Sequence, residues 1–106
     1  MRLVTLDFDG FDWDEGNISK VEARVAIEIV ENFFMREILV KEDIRHSLSE
    51  ERFLAIGYTK EKRCFVVAYT IRTKGNEKLI RPISARYTHK KEEEAYEAEI
   101  KKLQKK

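Results

Sequence analysis

Residues 52–86 read RFLAIGYTKEKRCFVVAYTIRTKGNEKLIRPISAR, and this stretch decides the fold class. Three runs within it, 52–59, 63–72 and 77–86, are rich in β-branched and aromatic residues and are separated by short polar connections. Lys74-Gly75-Asn76 is a good hairpin turn. The stretch predicts an antiparallel meander.

Working outward, residues 38–40 (ILV) read as the start of another strand, and 41–51 (KEDIRHSLSEE) as a polar loop. From Ile18 to Phe34 the period turns helical. Val21, Val25, Ile29 and Phe33 are spaced by four, and Ala26, Ile27, Val30 and Phe34 widen the stripe. Ser19, three residues before Glu22, predicts a capping box. Residues 9–17 are turn-rich around Trp13, and residues 2–8 partly alternate as a short strand would. The chain closes on a charged helix over 88–105, with Thr88 a candidate N-cap and Glu92–Glu94 where the helix dipole favours them. The expected class is α+β, an antiparallel sheet of four to five strands with N-terminal helices and a C-terminal helix packed on it. Residues 1–106 are read as one domain.

The net charge of +1 hides a split. Residues 1–51 carry 6 basic and 13 acidic side chains, whereas residues 52–91 carry 11 basic and 2 acidic. The positive charge therefore coincides with the meander. Hydrophobic content of 42% is enough for a core. One Cys excludes an internal disulfide framework and a Cys-cluster zinc site, and two His leave little for a His-based metal site. No apolar run approaches the length of a membrane span, and the acidic N-terminus MRLVTLDFDG does not read as a signal peptide. The expectation is a cytoplasmic domain with no metal, no cofactor and no membrane contact.

LDFDG (6–10) looks like the aspartate-nucleophile motif of dehalogenase-type phosphatases. That chemistry needs a doubly wound parallel sheet, which hairpins do not provide, so an acidic turn is the better reading. Arg52, Arg63, Arg72, Lys74, Lys78, Arg81 and Arg86 lie on or between the three strands, and Arg72, Arg81 and Arg86 are expected near one rim. Arginine suits bidentate phosphate contact, and Tyr58, Tyr69 and Tyr87 between them could stack on bases. The alternative is a set of solvated charges that discourage edge pairing. His46, near Glu50, Glu51 and Arg52, has the chemistry for proton transfer, although a lone loop His is more often merely exposed, and His89 likewise reads as surface. Cys64 reads as core, and Trp13 as a plug whose indole N–H needs a partner.

The pattern FxWDExN (11–17), Phe33-Phe34, His46-Ser47, EERF (50–53), VVxYTxR (66–72), RxISAR (81–86) and ExxxYE (92–97) resembles the BrnT toxins of type II toxin–antitoxin systems. The resemblance implies a fold similar to RelE-type small ribonucleases, with helices on one face of an antiparallel sheet. It implies an endoribonuclease that arrests growth, an antitoxin (BrnA) with a ribbon-helix-helix DNA-binding part, and a toxin able to form a homodimer. On that reading RNA is cleaved without a metal by attack of the 2′-hydroxyl. Arg72, Arg81 and Arg86 are the candidates for phosphate stabilisation, and His46 and Glu51 for acid–base work. Arg52, Lys74, Lys78 and Tyr96 are candidates for holding RNA, Tyr96 having packing as its alternative role. Two departures stand out. The family's Lys-His-Gly-Val segment is replaced by the shorter Val21-Glu22-Ala23-Arg24-Val25, and Pro82 replaces an aliphatic residue. The first motivates an alternative, a degenerate toxin that only binds its antitoxin and co-represses the operon. The second predicts an edge or a bulge at Pro82, which has no N–H for the ladder.

Overall fold

The computed structural model describes residues 2–104. In chain order the elements are strands β1 (Arg2–Thr5) and β2 (Gly10–Phe11), helices α1 (Ile18–Glu22) and α2 (Ile27–Phe34), and strand β3 (Glu37–Glu42). A 3₁₀ turn (Ile44–His46) follows, then β4 (Arg52–Tyr58), β5 (Cys64–Lys74), β6 (Glu77–Tyr87) and α3 (Lys90–Gln104). The predicted meander is present as β4, β5 and β6, with Lys74 opposite Glu77 across the Gly75-Asn76 turn. Gly75 adopts φ +60°, a left-handed conformation that glycine takes without a Cβ penalty. The sheet is larger than expected. It has six strands in the order β1-β3-β4-β5-β6-β2, and β2 runs parallel to β6 rather than antiparallel. Two residues make up β2, too few to show a period in sequence.

One sheet face carries the main core. Val21, Val25, Val30, Phe33 and Phe34 pack on Ile38, Val40, Ala55, Phe65, Val67, Tyr69, Ile80 and Ala85. Phe33 lies directly over Gly57, where a Cβ would come within 3.4 Å of its ring and 3.1 Å of Ile38. Helix α3 covers part of the opposite face, where Tyr96, Leu39 and Cys64 form a second small core. Helices therefore occupy both faces, not one. Because β5 is central and covered on both sides, Cys64–Val67 forms a continuous buried run.

Three local expectations change. The helical stripe over 18–34 is interrupted, because Ala26 takes an extended ψ of 140° and packing sends Val25 into the core between two short helices. Ser19 does not cap α1. Asn17 holds that position, and its side chain instead accepts from the Asp14 N–H. Thr88 bonds back to the Cys64 carbonyl, and Glu92 secures the start of α3 by accepting from the His89 N–H. At Pro82 the expectation of a bulge holds. Ala68 faces Ser84 but Tyr69 faces Pro82, so Ile83 is the extra residue.

Candidate functional site

Alternation along the strands places Leu54, Ile56, Val66, Ala68, Ser84 and Arg86 on the sheet face opposite the main core. Helix α3 covers only part of this face. The remainder is the floor of a groove of about 470 Å³, walled by Lys20, Lys41, Asp43, His46, Arg52, Arg86 and Glu92. Its lining holds four basic side chains against two carboxylates. Lys20, Lys41 and Arg52 form no ion pair among the described residues, whereas Arg86 is held by Glu92 through two bonds of 2.7 and 2.8 Å. The Arg86 guanidinium holds the Glu92 carboxyl down at about 2.

His46 projects from the 3₁₀ turn, 60% exposed, with Nδ1 2.9 Å from Asp43 Oδ2. Asp43 favours the tautomer protonated on Nδ1, which leaves Nε2 as the free nitrogen. Ser47 fixes the loop. Its hydroxyl donates to the Asp43 carbonyl at 2.8 Å and accepts from the Arg52 N–H at 3.0 Å, so His46 is tied to the start of β4 beside Arg52.

A second cluster lies at the far end of β5 and β6. Arg81 makes two bonds to Asp14 (2.9 and 3.0 Å) and one of 3.4 Å to Asp12, which is buried. Lys74 reaches Asp12 at 3.1 Å, and Arg72 grips Glu50 at 2.7 and 3.1 Å. Arg81 depresses the Asp14 carboxyl, and Arg72 depresses that of Glu50. Buried Asn17 completes the clasp by donating to the carbonyls of Asp12 (3.0 Å) and Pro82 (2.8 Å). The FxWDExN residues thus bolt the N-terminal turn to the β6 bulge. The Trp13 indole finds its partner in Glu31 at 2.9 Å.

The sequence candidates therefore divide. His46, Arg52 and Arg86 line the groove. Arg72, Arg81 and Lys74 belong to the far cluster. Glu51 is exposed, does not line the groove and has no ion-pair partner among the described residues. It is Glu50 that pairs with an arginine. The Lys78 side chain is exposed near β2, and the Lys78 backbone N–H donates to Asp9, the second acid of the LDFDG turn. Tyr96 is 8% exposed and packs edge-on against Tyr58. Sequence reasoning missed Lys20, Lys41, Asp43 and Glu92. Lys41 could have been found had the strand at 38–40 been extended, since it lies opposite Leu54.

Among the described residues no group of three His, Cys, Asp or Glu side chains is placed to hold a metal ion, and no helix is long and apolar enough to cross a membrane. The model of the BrnT family, described as the ribonuclease toxin of type II toxin–antitoxin systems, matches residues 13–92. The chain belongs to the BrnT toxin family. Its membership carries an RNA substrate and an antitoxin partner as family properties. No curated protein matches the chain. The match begins at Trp13 and ends at Glu92, so it spans the groove and all of the clasp but Asp12.

Proposed function

We propose that this BrnT-family protein is an endoribonuclease that cleaves single-stranded RNA in the groove between the His46 loop and α3, without a metal. The supporting observation is the juxtaposition of His46 with Arg52, Arg86 and Lys41 over an open sheet face.

Cleavage by the 2′-hydroxyl needs a base, charge stabilisation at phosphorus, an acid for the 5′-oxygen and in-line positioning. Nε2 of His46 takes the 2′-hydroxyl proton as that oxygen bonds to phosphorus. The bond to the 5′-oxygen breaks, giving a 2′,3′-cyclic phosphate. Arginine stays protonated throughout, so Arg52 and Arg86 act as fixed charges on the phosphorane oxygens. Lys41 is a groove cation whose proton can be transferred, and it delivers one to the departing 5′-oxygen. Glu92 keeps the Arg86 fork aimed, and Lys20 holds the strand. These cations supply the positive charge that a divalent ion would otherwise bring to the phosphate. The missing His-Gly segment falls at the junction of α1 and α2, and the proton transfers proposed for His46 and Lys41 do not call on it.

A ribbon-helix-helix antitoxin that inserts acidic side chains into this groove would silence the enzyme. The test is incubation of purified protein with single-stranded RNA in EDTA. Products ending in 2′,3′-cyclic phosphate are the expected result. Cleavage that depends wholly on added Mg²⁺ contradicts the mechanism. A well-folded protein that neither cleaves RNA nor arrests growth favours the binding-only alternative.

A further inference from the structure

Thr70 lies in the middle strand of the meander and is 3% exposed. Its hydroxyl oxygen is the one buried side-chain N or O among the described residues with no hydrogen-bond partner. The register places Arg52 directly across β4 and Arg81 directly across β6, while Arg72 follows on the same face two residues along β5. An unsatisfied hydroxyl in a ring of three arginines is costly, and a valine of the same shape would avoid that cost. Of the three, Arg81 is locked by Asp12 and Asp14 and is only 13% exposed. Arg72 is different. It is half-exposed, reaches Asp12 only at 4.0 Å, and its bidentate partner Glu50 sits on the solvent-facing loop between the 3₁₀ turn and β4. A carboxylate gripped by both arms of a guanidinium occupies the place that two oxygens of a phosphate would take.

We propose that Thr70 and Arg72 form a second subsite for an RNA backbone phosphate, with Glu50 as the built-in anion that the phosphate displaces. This rests on the reading of the groove as the RNA site and extends it along β5. Val66, opposite Arg86, and Thr70, opposite Arg81, are separated by four residues, roughly 13 Å of strand. The subsite therefore takes a phosphate of the same strand beyond the one at the cleavage centre. When Glu50 leaves, Arg72 turns to the phosphate and the Thr70 hydroxyl gains a partner. Thr70 and Arg72 are positioning residues and take no part in the proton transfers.

The experiment measures binding of a single-stranded 2′-O-methyl RNA oligonucleotide, which has no 2′-hydroxyl and cannot be cleaved, across a salt series. E50Q is expected to bind more tightly and to steepen the log–log salt slope by about 0.7, the value of one more phosphate neutralised. R72Q is expected to bind more weakly and to flatten the slope by the same amount. T70V is expected to melt at a higher temperature than wild type yet to bind about fivefold more weakly, the loss of one hydrogen bond, with T70S restoring the affinity. With cleavable RNA, T70V and R72Q raise KM more than they lower kcat. Wild-type binding and slopes in E50Q, R72Q and T70V, from a protein that cleaves RNA normally, overturn the subsite alone. A wild-type protein that neither binds nor cleaves overturns the groove reading and the subsite with it.

Discussion

Two basic clusters share one face of the sheet, with Arg86 and Arg81 well apart along β6, and they differ in what holds them. Arg81 is nearly buried and answers two aspartates, one of them buried. Arg86 stands at the lip of an open groove with a single exposed partner, beside Lys20, Lys41 and Arg52, which have no acidic partner among the described residues. Removing one member of a buried pair strands a charge, whereas a pair between exposed groups is worth about 1 kcal/mol or less. The comparison teaches that a run of basic residues in sequence is two things in space. One part fastens the acidic N-terminal half to the sheet, and the other is free to meet an outside anion.

Substitutions that separate the two clusters sharpen this contrast. H46A is expected to lower the single-turnover RNA cleavage rate by about a thousandfold, the scale of general acid–base catalysis, with no change in melting temperature. R81A is expected to do the reverse in kind. It takes from buried Asp12 one of its cations, leaving Lys74, frees Asp14, and is expected to lower the unfolding free energy by about 2 kcal/mol in urea titration. R86A should reduce kcat by about a hundredfold, as loss of one preorganised donor does, while the protein remains folded. If R81A unfolds no more easily than R86A, the distinction between fastening and groove arginines fails. W13F removes the indole bond to Glu31 and should cost about 1 kcal/mol of stability with cleavage intact.

The smallest effect is in pH. The Glu92 carboxyl is lower in the folded protein than its ordinary 4.5, at about 2. Its contribution to stability is therefore complete above pH 4.5 and is lost as pH falls toward 2. Because both partners are substantially exposed, solvent screening keeps the contribution small. Acid titration of E92Q should show a slightly shallower loss of stability across that window than wild type.

The meander, the β-bulge at Pro82 and the buried Cys64 were legible because each depends on local chemistry: alternation, a missing N–H, an apolar neighbourhood. The break between α1 and α2 was not, because no Gly, Pro or cap marks it and tertiary packing alone bends the chain. The parallel β2 rests on two residues. Family resemblance identified the residues that matter in the first motif but not what they do. Asp14 and Asn17 turn out to make contacts with Arg81 and the Pro82 carbonyl, more than sixty residues away. The arginines were grouped by charge, and only the pairing of each with its acid separated the groove from the clasp. Lys41 and Asp43 were hidden because the polar stretch after residue 40 reads as loop, although β3 runs to Glu42.

The central claim is that RNA lies across the open sheet face between the His46 loop and α3. Amide chemical-shift mapping with an uncleavable 2′-O-methyl RNA oligonucleotide tests it directly. The account predicts that the largest shifts fall on His46, Arg52, Leu54, Val66, Ala68, Ser84 and Arg86, while α2 and β1 stay unmoved. Shifts concentrated on α2 and β1, with the groove residues unaffected, would contradict it.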